Sequence, residues 1–111
     1  MSMDKIKVIV KKPGEPVGHM EEIDNTLKAL QKIVGGFIET VPVAEGSDRI
    51  ILIVNEDGKL RLLPENFWMP IMGTWDLIVG TVIVCGDSGE DFTDVPIDLA
   101  TWQRLLRKWE E

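Results

Sequence analysis

The 111-residue chain has a single cysteine and a single histidine, and each scarcity removes a class of chemistry. Cys85 has no second thiol with which to form an internal disulfide. It lies in the apolar run DLIVGTVIVCG, where a buried reduced thiol is expected rather than a nucleophile, because no base for it is visible. His19 has no histidine or cysteine partner at a metal-ligand spacing, so neither zinc nor triad chemistry is supported. Positive charge is also short. Twelve Lys and Arg against 19 Asp and Glu leave a net charge of −7, which argues against general binding to DNA, RNA or anionic membranes. Long apolar runs are missing too: the one near the start is too short for a signal-peptide core, and the longest later run is far below membrane-spanning length. A cytoplasmic protein is expected. There is no internal repeat and no low-complexity tract.

What is present suits one domain. The hydrophobic fraction of 44% and charged fraction of 28% are those of a globular chain able to bury one core. KIKVIV, residues 5–10, is rich in β-branched residues and ends at a Lys-Lys-Pro-Gly turn, which predicts a first strand. Residues 16–23 read as a weaker extended segment leading to Asp24. Asp24 or Asn25 then offers an oxygen to the free amides of a helix over residues 25–34, with Leu27, Leu30, Ile33 and Val34 on one face. Gly35 is the expected left-handed stop of that helix, and Gly36 lets the chain bend into the strand FIETVPV.

Further along, DRIILIV predicts a buried strand, NEDG a tight turn with Gly58 at positive φ, and KLRLL the returning strand of a hairpin. ENFWMPIMGTW reads as an irregular connection, because Pro70 and Gly73 interrupt both helical and extended patterns. DLIVGTVIVCG predicts a strand disturbed at Gly80. A helix over residues 99–109, capped by Asp98, carries the stripe Leu99, Trp102, Leu105, Leu106 and Trp109. The sum is an α+β domain with a mainly antiparallel sheet of about five or six strands and two helices.

Four short pieces now stand in order: Val34 to Glu39, Asn55 to Gly58, Leu63 to Asn66, and Ile78 to Thr81. Together they resemble the DUF3846 family of small bacterial, plasmid and phage proteins, over roughly residues 5 to 93. The resemblance implies a setting in mobile elements and phages and no particular reaction. It names no catalytic residue.

For the residues themselves, the acids Asp87, Glu90, Asp91, Asp94 and Asp98 do not follow a calcium-loop spacing, and a solvated turn with a helix cap is expected. No metal site and no cofactor are expected. Gly36, Asn55, Glu56 and Asn66 are candidate contacts for a ligand or partner, against the simpler reading of a bend and turn-stabilising amides. Phe67, Trp68, Met69, Ile71, Met72 and Trp75 crowd one segment, which either folds inward as a lid or leaves Trp68, Met69 and Met72 as a contact surface. No constellation of base and nucleophile emerges. The expectation is a small non-enzymatic binding or accessory protein acting on an unknown protein or small ligand, with self-association open. The alternative is an anti-defence or regulatory protein sequestering a host macromolecule or nucleotide signal, and an enzyme comes third.

Overall fold

A computed structural model describes residues 4–43 and 49–110. The elements run β1 (Lys5–Lys11), β2 (His19–Asp24), α1 (Leu27–Val34), β3 (Ile38–Val43), β4 (Ile50–Asn55), β5 (Glu65–Ile71), β6 (Thr74–Val79), β7 (Val82–Asp87), β8 (Phe92–Thr93) and α2 (Leu99–Glu110). The main sheet has the order β2-β1-β7-β4-β3, with β8 against β7, and all of its pairings are antiparallel. β5 and β6 form a separate two-stranded sheet. The fold is α+β, as expected.

Period-two alternation sorts the core into two layers. Ile6, Val8 and Val10 of β1 join Ile53, Ile83 and Cys85 beneath Leu30 and Val34 of α1. On the opposite face, Ile9, Leu52, Val82 and Val84 pack with Met69 and Ile78 of the hairpin and with Trp102, Leu106 and Trp109 of α2. The sheet is thus covered on both sides, one by α1 and the other by the hairpin with α2.

The start of α1 differs from expectation. Asp24 belongs to β2 and pairs with Lys5 at 3.0 Å, and Asn25 donates its amide to the Phe92 carbonyl at 3.1 Å. Thr26 is the cap instead, its hydroxyl accepting from the Ala29 N–H at 3.1 Å. Leu27, placed on the apolar face by spacing, is exposed. At the other end Gly35 takes φ 81° and its N–H reaches the Gln31 carbonyl at 2.8 Å, the left-handed stop the glycine pair predicts.

The larger correction lies after β4. KLRLL is not a returning strand, because both edges of β4 are already filled, by β3 and β7. With no ladder to join, residues 56–62 coil into successive turns, with Arg61 N–H on the Asp57 carbonyl at 2.9 Å and Leu63 N–H on the Gly58 carbonyl at 3.0 Å. Gly58 does not take positive φ; a Cβ there would meet Val79 Cγ2 at 2.9 Å, so close packing accounts for it. The hairpin forms later, from the segment expected to be irregular. Met72 at φ 49° and Gly73 at φ 83° make its two-residue turn, the sign pattern of type I′. Pro70 is accommodated because each strand of a two-stranded sheet keeps a free edge. The run DLIVGTVIVCG is divided at Gly80, φ 75°, so that β6 serves the hairpin and β7 the centre of the main sheet.

Candidate functional site

The hairpin register fixes what faces where. Phe67 pairs with Ile78 and Met69 with Asp76 on the inner side, while Trp68 pairs with Leu77 and Pro70 with Trp75 on the outer side. Met69 is therefore fully buried, whereas Trp68 and Trp75 are each 52% exposed and Met72, at the turn, is 98% exposed. The lid and the exposed surface expected as alternatives are two faces of one hairpin.

Between Glu65 and Phe67 the register slips by one, which makes Asn66 the extra residue of a β-bulge. The bulge turns its side chain toward β1. The Asn66 amide donates to the Lys11 carbonyl at 3.0 Å and to the Gly80 carbonyl at 2.8 Å, and its oxygen accepts from Lys11 Nζ at 2.5 Å. Lys11 follows Ile9 on the face of β1 that the hairpin and α2 cover, so a cation is carried into that layer and is only 4% exposed. Its ammonium stands 5.5 Å from the Phe67 ring centroid and has no carboxylate within ion-pair distance among the described residues. Burial pushes the Lys11 pKa below its usual value, opposed by the charges of Glu15 and Glu110.

Around this group lies a cleft of about 660 Å³. Lys11 and Glu15 line it from the β1 side, Asn66, Phe67, Trp68 and Trp75 from the hairpin, and Leu106, Trp109 and Glu110 from α2. Its inner wall is an aromatic cluster: Phe67 stacks on Trp109 at 6.0 Å and meets Trp102 edge-on at 5.7 Å. Trp102 donates its indole N–H to the Val17 carbonyl at 2.9 Å, but the buried indole N–H of Trp109 has no acceptor among the described residues. At the rim, Glu15 accepts from the Lys12 N–H at 2.9 Å, which with His19 beside it holds its carboxyl below the usual range. His19 lies between Glu21 at 3.0 Å and Glu15 at 3.4 Å, and both raise its pKa.

The cleft can take a flat apolar group against indole faces and offer it a buried cation on one side and carboxylates on another. Matching the chain against known families then places it. A family model described as Domain of unknown function (DUF3846) matches residues 6–110. The chain belongs to this family. No curated protein and no solved structure matches it. The DUF3846 match spans all three segments that build the cleft, Lys11 to Pro16, Asn66 to Trp75 and Leu106 to Glu110.

Of the candidate contacts named from the sequence, Asn66 and Trp68 line this cleft. Asn55 and Glu56 line a separate cavity of about 180 Å³, beside the ion pair of Lys59 and Asp76. Asn55 serves the fold: its amide donates to the Val34 carbonyl at 3.1 Å, and its oxygen accepts from the Asp57 N–H at 2.8 Å. Gly36 lies against it, where a Cβ would be 2.8 Å from the Asn55 amide nitrogen. Met69 is in the core and Met72 stands clear at the hairpin turn. Four of the five acids named in residues 87–98 are engaged: Asp87 by Arg49, Asp91 by the Phe92 N–H, Asp94 by the Lys7 N–H, and Asp98 by the Thr101 N–H. No group of three His, Cys, Asp or Glu among the described residues is placed to hold a metal. No helix among them is long and apolar enough to cross a membrane.

Sequence reasoning missed Lys11, Glu15 and Glu110, and assigned Trp109 to the core alone. A signal for Lys11 existed. In KIKVIVK the alternation that puts Ile6, Val8 and Val10 on one face puts Lys11 on the same face as Ile9, where a lysine within a covered layer asks for a partner.

Proposed function

We propose that the protein is a small non-enzymatic binding or accessory protein whose contact site is the cleft beside Lys11 and Asn66. The observation that carries this reading is the joining of a cavity of about 660 Å³, two half-exposed tryptophans and a buried ammonium that has no carboxylate partner among the described residues. Small-molecule sites are concave, about 300–1,000 Å³, mostly apolar, and equipped with a few fixed polar groups. Trp68 and Trp75 supply the apolar area, and Asn66, itself held by bonds to the Lys11 and Gly80 carbonyls, accepts one bond from the ammonium. The family resemblance supports a setting in a mobile element or phage-derived region.

The test is a fragment library screened against the intact ¹⁵N-labelled chain, with binding mapped by amide shifts. Saturable hits should move residues 11–16, 66–75 and 106–110 together, and Trp68→Ala should weaken them at least tenfold while the chain stays folded. Hits that map elsewhere, or a library with no saturable member, would overturn the reading.

A further inference from the structure

From the geometry of the cleft, and resting on its reading as a binding site, we infer that its ligand is a small aromatic monocarboxylate. Its carboxylate would pair with Lys11 and its ring would lie against Trp68 and Trp75.

Three observations converge on this class. The first is an imbalance at Lys11. An ammonium has three donors, and of these one goes to Asn66, a neutral acceptor, while the residue is 4% exposed. Buried charges in folded chains are paired, and this one has no carboxylate within ion-pair distance among the described residues. The unmade interaction lies in the wall of an open cleft, so an anion entering the cleft can complete it. The second is the indole N–H of Trp109, which lies in the same wall and is a buried donor without an acceptor among the described residues. A carboxylate has two oxygens and several lone pairs, enough to accept from the ammonium and still leave an acceptor over. The third is the remainder of the lining. Phe67, Trp68, Trp75 and Leu106 give broad apolar faces suited to a planar ring.

The rim sets an upper bound on charge. Glu15 and Glu110 border the cleft, and the whole chain carries −7. One negative group placed against Lys11 is compensated locally, whereas a di- or triphosphate would bring several charges toward two carboxylates. A single carboxylate on an aromatic body meets the buried cation without that repulsion.

The experiment titrates the intact chain by calorimetry and ¹⁵N NMR with aryl and heteroaryl carboxylic acids, each beside its own carboxamide, and with adenosine triphosphate as an aromatic polyanion. The acids should saturate with shifts at Lys11, Asn66 and the Trp109 indole N–H, and bind at least tenfold tighter than their amides. Lys11→Met, checked for folding by its melting curve, should bring acid and amide to equal affinity. The comparison of acid with amide on the unaltered chain stands even if that variant does not fold. Amides as tight as acids, or the triphosphate tighter than every acid, would overturn the carboxylate assignment while leaving the cleft a binding site. Failure of the acids alongside cleft-mapped fragments of other chemistry would do the same, and failure of every compound would remove both readings.

Discussion

Asn66→Ala removes one side chain and takes a hydrogen-bond partner from three groups. The Lys11 and Gly80 carbonyls, bonded at 3.0 and 2.8 Å, each lose a donor, and the Lys11 ammonium loses its neutral acceptor. A neutral hydrogen bond contributes about 1 kcal/mol and one to a charged group about 1.5–3 kcal/mol, so the gross loss is roughly 4 kcal/mol. Because Lys11 borders an open cleft, its ammonium can swing out and recover water, which lowers the expected net cost to about 3 kcal/mol. For a domain of this size that is a fall in Tm of roughly 10–20 °C. Urea unfolding should show the midpoint falling with the slope unchanged, since the area exposed on unfolding is nearly the same. In Lys11→Met the charged bond is already absent, so Asn66→Ala should cost less there, by about the charged contribution. A loss below about 1 kcal/mol in the single variant would refute the view that the bulged asparagine ties the hairpin to β1.

Four further outcomes are expected. Gly35→Val should cost about 1–2 kcal/mol in thermal or urea melts, from backbone strain at φ 81° alone, because nothing lies within 4 Å of the added Cβ. Met69→Ala should destabilise by about 2–5 kcal/mol while Trp68→Ala costs less than about 1 kcal/mol, and equal effects in urea melts would contradict the two-faced hairpin. Cys85, whose thiol burial pushes up to about 12, should stay unmodified by thiol reagents at pH 8 until the chain unfolds; fast labelling of folded protein would count against its burial. Asp98 is held below the usual carboxylate range by Thr101, so its capping contribution is complete above about pH 4 and is lost as pH falls through its folded pKa. The Tm gap between the natural chain and Asp98→Ala should accordingly narrow on going from pH 7 to pH 3.

Local rules made much of this fold legible. β1, Gly35 as a stop, the Asp98 cap and the apolar stripe of α2 each depend on neighbours in sequence, and each stands as expected. What could not be seen was competition for strand edges. KLRLL has the alternation of a strand, yet Leu60 and Leu62 end up about 86–87% exposed, because β4 had accepted two other partners. The hairpin was hidden for the opposite reason. Pro70 and Gly73 are breakers in general, but an edge tolerates the first and a type I′ turn calls for the second. The site was less legible than the fold. Asn66 and Trp68 were identified, whereas Lys11, Glu15 and Glu110 join them only through tertiary packing, across separations as large as 99 positions along the chain.

That dispersal ties occupancy of the cleft to the fate of the whole chain. Its walls come from residues 11–16, 66–75 and 106–110, so no single local segment presents the complete set of contacts. A ligand therefore recognises only the assembled state, and by mass action must draw the population toward it, by about 2.7 kcal/mol at a hundred times its dissociation constant. Slower hydrogen exchange in β4 and β7, at the centre of the sheet and away from the cleft lining, would then report a molecule bound at the periphery.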